Sequence, residues 1–157
     1  MISIRKAETG DIPRINSLLK QILCIHAELR PDIYRFDREK YTPEEIGALL
    51  EDTKRPCIIA DKNGECVGYA LCQIKESPSE SSFVPRKTLY LDDLCVDENE
   101  RGNGIGKILT DAVVQLAKEL NADAVELNVW ESNSGALHFY EKYGFSTQRR
   151  HMELPLR

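Results

Sequence analysis

The densest run of residues able to do chemistry is Val96-Asp97-Glu98-Asn99-Glu100-Arg101-Gly102-Asn103-Gly104-Ile105-Gly106-Lys107. Glycines at 102, 104 and 106 leave backbone N–H groups uncovered, and the apolar spacing from Ile105 onward predicts a helix. Bare amides at the positive end of a helix dipole form an anion site suited to a pyrophosphate, and Arg101 and Lys107 add positive charge beside it. The run is not a P-loop, because Arg101 stands where the first glycine belongs and Ile108 where a Ser or Thr would bind magnesium. Nor does Gly-x-Gly-x-Gly match the Gly-x-Gly-x-x-Gly of dinucleotide folds. Taken alone, such a triplet is a turn that feeds a core helix.

Two further places could move protons. Tyr140 carries a phenol with an ordinary pKa near ~10, protonated at neutral pH and able to give its proton to a leaving anion. It also suits a core of Phe139 and Phe145. Leu91-Asp92-Asp93-Leu94 sets two carboxylates on one strand, directed to opposite faces by the strand period of two. One is available to take a proton from an amine, the other to cap, pair with arginine or face water.

The elements that must position these groups are legible from periodicity. Met1 to Lys6 alternates as a strand, and Ile12, Ile15, Leu18, Leu19, Ile22 and Leu23 recur at helical spacing. Thr42-Pro43-Glu44-Glu45 is a capping box that opens a second helix. Residues 57–61 and 66–74 read as strands joined by Asn63-Gly64, a hairpin turn whose residues tolerate positive φ. Polar Lys75 to Ser82, broken by Pro78, predicts a mobile connection before a strand from Lys87 to Val96. A helical stripe from Ile105 to Leu120, a strand from Ala124 to Trp130, a helix from Ser134 to Tyr143 and a closing strand from Phe145 to Leu154 complete the chain. The order β-α-α-β-β-β-α-β-α-β implies one α/β domain over residues 1–157, with a mixed, mostly antiparallel sheet flanked by helices.

Within that order, Arg101-Gly102-Asn103-Gly104-Ile105-Gly106 resembles the Arg/Gln-x-x-Gly-x-Gly/Ala loop of the GCN5-related N-acetyltransferase (GNAT) superfamily. Asn133-Ser134-Gly135-Ala136-Leu137-His138-Phe139-Tyr140-Glu141-Lys142-Tyr143-Gly144-Phe145 is similar to its second signature, at the usual separation. The resemblance covers essentially the whole chain. It implies acetyl transfer from acetyl-CoA to an amine; the spacing of the cysteines and histidines independently gives no metal site. It also implies a splayed strand pair, in which the pantetheine arm pairs with the backbone of Leu94, Cys95 and Val96. Residues Arg101, Gly102, Asn103, Gly104, Ile105, Gly106 and Lys107 would bind the pyrophosphate, and Asn133 would position the cofactor arm. Tyr140 would protonate the CoA thiolate. Leu91-Asp92-Asp93 is also similar to the Leu-Glu-Asp of polyamine acetyltransferases, which makes Asp92 the expected base, acting through water. An amine that ionises in solution would need no such base.

Composition narrows the partners. Of 157 residues, 41% are hydrophobic and 30% charged, the profile of an ordinary globular protein. The net charge of −5 with no basic block argues against nucleic acid, and no apolar run suggests a membrane span or signal peptide, so a cytoplasmic location is expected. Five cysteines without a CxxC pair read as reduced core thiols. The acceptor is expected near 26–37, where Glu28, Asp32 and Asp37 could hold a cation, or where a solvated loop of mixed charge could lie. Polyamines, aminoglycosides, amino acids and peptide amines all stay open. Apolar residues toward the end of the closing strand suggest a homodimer. A non-catalytic acyl-CoA-binding module is the alternative to an enzyme.

Overall fold

The computed structural model describes residues 1–78 and 82–157. Residues 79–81 of the connection expected to be mobile lie outside the described residues. The elements are β1 (Ile2–Lys6), α1 (Ile12–Leu29), α2 (Pro43–Glu51), β2 (Cys57–Lys62), β3 (Glu65–Glu76), β4 (Lys87–Val96), α3 (Ile105–Glu119), β5 (Ala124–Leu127) and α4 (Ser134–Tyr143), with short 3-10 turns before α1 and after β4. The strands form a single sheet in the order β1-β2-β3-β4-β5, antiparallel except for the last pair.

Local chemistry explains the boundaries. Thr42 caps α2 while the Glu45 carboxylate accepts the Thr42 N–H, with Pro43 in the first helical position. Asn63 and Gly64 take φ of 55° and 88°, the paired positive values that a tight β2–β3 hairpin requires.

The sheet separates two cores. Ile15, Leu18 and Leu19 of α1 and Ile46 of α2 pack with Cys57, Ile59, Tyr69, Leu71 and Cys95. On the other face Ile105, Leu109, Val113 and Ala117 of α3 pack with Ala70, Cys72, Leu89 and Leu91. Full burial of a Leu, Ile or Val side chain is worth about 1.5–3 kcal/mol, so these two layers hold β4 firmly between them.

Two expected strands differ from the structure. β5 ends at Leu127 rather than Trp130, because Asn128 turns to donate to the Tyr90 hydroxyl (3.0 Å) and the Trp130 indole donates to the Tyr34 hydroxyl (3.1 Å). The closing strand expected at Phe145–Leu154 does not form among the described residues. Met152, Leu154 and Leu156 alternate as a strand should, yet they are 85%, 83% and 89% exposed. With no surface to bury that face there is little to favour a ladder. Side chains tether the segment instead: Gln148 donates to Glu126 (3.0 Å), and Arg30 pairs with Glu153 (2.8 Å).

Candidate active site

The two central strands part at a defined point. β4 and β5 are in parallel register from Thr88–Ala124 to Leu91–Leu127, and no further. Beyond it β4 continues paired with β3 as far as Val96, so its β5-facing backbone edge is unpaired from Asp92 onward. Leu94 and Val96 lean on the α3 core, while buried Cys95 donates its thiol to the Leu18 carbonyl (3.3 Å). Burial pushes that thiol up to about 12, which leaves it inert. Their side chains serve packing; the free backbone groups are what this stretch offers a ligand.

The glycine run follows directly. Gly102 and Gly104 take φ of 83° and 79°, and a Cβ at either would meet nothing within 4 Å, so the glycines are there for backbone conformation. Gly104 is the N-cap of α3 and no side chain caps that end, so the first amides of a 15-residue helix remain free. Gly106 differs, since a Cβ there would stand 3.5 Å from the Phe139 ring, and it marks the close approach of α3 and α4. Ile105 is buried in the α3 core, and Asn103 is exposed in the loop. The Arg101 guanidinium folds back to donate to the Val96 carbonyl (3.2 Å), which ties the loop to the end of β4. Lys107 pairs with Asp111 (2.9 Å), to which Tyr143 also donates (2.7 Å), so its charge is directed along the helix rather than into the loop.

On the facing side Asn133 caps α4, its side-chain oxygen accepting from the Ala136 N–H (3.2 Å). Tyr140 is half-buried, edge-on to Phe139 and Phe145 at 5.2 and 5.5 Å between centroids. Its hydroxyl makes no hydrogen bond among the described residues. Burial, and then the Asp93 charge, push its pKa up to about 12.

Strand alternation fails at the two acids. A bulge opposite Leu71 and Cys72 leaves Asp92 unmatched, with Leu91 facing Cys72 and Asp93 facing Leu71. The expectation of carboxylates on opposite faces gives way to one compact charged cluster. Asp93 is buried and accepts from Lys40 Nζ (2.6 Å), while Asp92 accepts from Arg55 (3.1 Å). Burial raises the Asp93 pKa; Lys40 opposes this only in part. Burial also acts to lower Lys40, but the neighbouring Asp93 outweighs it and the net shift is upward. Arg55 and Lys40 carried no motif in the sequence. Their positions depend on contacts 37 to 53 residues apart in the chain.

An aromatic wall flanks the cluster. His26 and Tyr34 lie tilted against each other at 5.0 Å, Tyr34 meets Trp130 edge-on at 6.1 Å, and Arg30 lies 4.9 Å over the Trp130 ring. Burial, then the Lys40 charge, lower the His26 pKa. Two of the acids expected to hold a cation are already engaged: Asp32 by Arg30 (2.7 Å) and Asp37 by Arg35 (3.0 Å).

Comparison with known proteins gives the family. The Acetyltransferase (GNAT) family profile matches residues 22–145, and the chain belongs to that family. An uncharacterized N-acetyltransferase of Methanocaldococcus jannaschii is 28% identical over 73% of this chain and 49% of its own length. The L-amino acid N-acetyltransferase AaaT of Escherichia coli is 26% identical over 94% of this chain and 84% of its own. The chain thus spans about half the length of the first of these relatives and most of the second. The crystal structure of a mutant of the BH1408 protein from Bacillus halodurans superposes with a TM-score of 0.94, 32% identity and 99% coverage of both chains. No helix of the described residues is long and apolar enough to cross a membrane.

Proposed function

We propose that this chain is an acetyl-CoA-dependent N-acetyltransferase that moves the acetyl group directly to a primary amine of a small molecule or peptide. The observation that carries the reading is the parting of β4 from β5 beside an uncapped α3 N-terminus; the Tyr140 hydroxyl on α4, without a hydrogen-bond partner among the described residues, supports it. The backbone of Leu94–Val96 is free to pair with an amide-bearing pantetheine arm, and the amides around Gly104 suit its pyrophosphate. Asn133, fixed as the α4 cap, borders the arm. Tyr140 stays protonated at neutral pH and donates to the thiolate as the C–S bond breaks.

Of the two acids, Asp93 suits the base better than Asp92. Both are ion-paired, but burial lifts the proton affinity of Asp93 above the ordinary carboxylate range and its partner is the flexible, partly exposed Lys40, whereas Asp92 is held by the Arg55 guanidinium. AaaT, by its name, acetylates L-amino acids, which supports a small amine as acceptor. The exposed alternation of Met152, Leu154 and Leu156, together with the free outer edge of β5, supports a homodimer in solution. Purified protein supplied with acetyl-CoA and a panel of amines should release free thiol and yield acetylated product by mass spectrometry. Tight acetyl-CoA binding with no thiol release from any amine would make it a binding module instead.

A further inference from the structure

The Lys40–Asp93 pair is costly unless it has a use. The Asp93 side chain is 3% exposed, whereas that of Lys40 is 35% exposed and reaches it from the segment between α1 and α2. Beside them stands the second pair, Arg55–Asp92, so the four charges cancel. Two buried polar atoms nearby have no hydrogen-bond partner among the described residues: the Tyr69 hydroxyl and Arg55 Nε. After burial itself, Asp93 has the largest influence on the Tyr69 hydroxyl, which ties that orphan to the same cluster. Buried polar atoms beside a buried ion pair need polar partners, and the described residues supply none to these two.

Resting on the transferase reading above, we propose that Lys40 and Asp93 together select the acceptor, and that the acceptor is a zwitterion of the α-amino acid type. Its ammonium takes the place of the Lys40 ammonium at Asp93, and its carboxylate receives Lys40. The exchange keeps every charge paired. Lys40 has a flexible four-carbon stem and a partly exposed head, so it can move outward while Asp93 stays fixed on β4. Of the acids in this region Asp32, Asp37 and Asp92 are already held by arginines, so the second ammonium of a polycation would have to displace one of them or reach out to the exposed Glu28. A simple amine displaces Lys40 but brings no anion to receive it.

The same exchange prepares the chemistry. Once Lys40 leaves Asp93, the cation that opposed the effect of burial is gone, and the carboxylate becomes a stronger base. The acceptor ammonium gives its proton to Asp93, and the freed lone pair forms the N–C bond to the thioester carbonyl. The C–S bond breaks, the departing thiolate takes the Tyr140 proton, and the nitrogen gives up its second proton to water. Solvent then collects the Asp93 proton and restores that of Tyr140.

A matched series decides the matter: L-amino acids of several side-chain classes, their carboxamides, their decarboxylated amines, and spermidine, each with acetyl-CoA and thiol release as readout. The free acids should exceed their amides in kcat/KM by roughly tenfold or more, the scale of one lost charge-assisted hydrogen bond. In Lys40→Met the preference should collapse, the ratio of acid to amide in kcat/KM falling toward one. The wild-type comparison stands even if that variant fails to fold. Amides or spermidine used as well as the acids would overturn the proposal and leave the transferase reading intact. So would a Lys40→Met protein that keeps the preference. Calorimetric binding of acetyl-CoA with no turnover of any amine would remove the transferase reading, and this proposal with it.

Discussion

Leu91 and Leu127 face each other as the last matched pair of the parallel β4–β5 ladder, and the next residue of β4, Asp92, is a bulge against β3. One strand therefore loses its partner on one side where its register slips on the other. The bulge twists β4 as β5 departs, which opens the notch and gathers both acids at its inner end. Splayed strands, glycine loop and charged cluster all follow from the path of one ten-residue strand.

The glycine loop can be tested at Gly104. Its φ of 79° strains most L-residues, so Gly104→Asn, which tolerates the left-handed region, is the control for conformation. Gly104→Glu adds a carboxylate where the pyrophosphate is proposed to lie. The asparagine variant should bind acetyl-CoA close to the wild-type level. The glutamate variant should bind at least ~100-fold more weakly, a loss of about 3 kcal/mol. Equal calorimetric affinity in the two folded variants would remove the loop from the cofactor site.

The base is tested through pH. A group that accepts the amine proton must be ionised, so activity should rise with pH through the Asp93 pKa. Burial puts that rise above the ordinary carboxylate value of ~4. Tyr140 must stay protonated, and with its pKa pushed up to about 12 it should impose no falling limb near neutral pH. The kcat profile at saturation of both substrates reports these groups in the complex. Asp93→Asn should abolish the rising limb and Asp92→Asn should keep it; the opposite pattern would restore Asp92 as the base.

The scaffold was more legible than the chemistry within it. Helical stripes and the Asn63-Gly64 turn carry their own local signal, so α1, α3 and the β2–β3 hairpin stand where periodicity puts them. The glycine loop was equally plain, because Gly102 and Gly104 are needed for their own backbone angles. Asp92 and Asp93 were visible as a pair, but their direction depends on a bulge set by the facing strand, and no local pattern encodes that. Lys40 and Arg55 lie in connections without motif, and only the folded chain brings them to the acids. The alternation of Met152, Leu154 and Leu156 was real, but its meaning was not local. A strand pattern forms a strand only where something lies beside it to pair with and cover it.

That unpaired alternation yields a prediction about assembly. If the tail docks on the β5 edge of a second copy, light scattering should give about twice the 17.9 kDa chain mass at micromolar concentration. Replacing Met152, Leu154 and Leu156 with serine removes the apolar face and should yield monomers that keep the circular dichroism of the parent. A parent that stays monomeric throughout the micromolar range would exclude the dimer.

Tyr140 gives the sharpest test of the chemical step. Tyr140→Phe removes one oxygen and keeps the ring against Phe139 and Phe145. Because that hydroxyl has no hydrogen-bond partner among the described residues, its loss should change stability by less than about 1 kcal/mol, in either direction. Acetyl-CoA affinity should hold for the same reason. If the phenol protonates the departing thiolate, turnover should fall by roughly 10²–10³-fold, the usual scale for one positioned general acid. The fall should appear in kcat and kcat/KM alike, since the interaction arises as the C–S bond breaks. Slow product release would hide part of the effect in steady-state kcat, so the measurement belongs in a single turnover, with enzyme in excess over acetyl-CoA. A chemical step at the wild-type rate would return Tyr140 to the α3 core as a packing aromatic, and the thiolate would then take its proton from water.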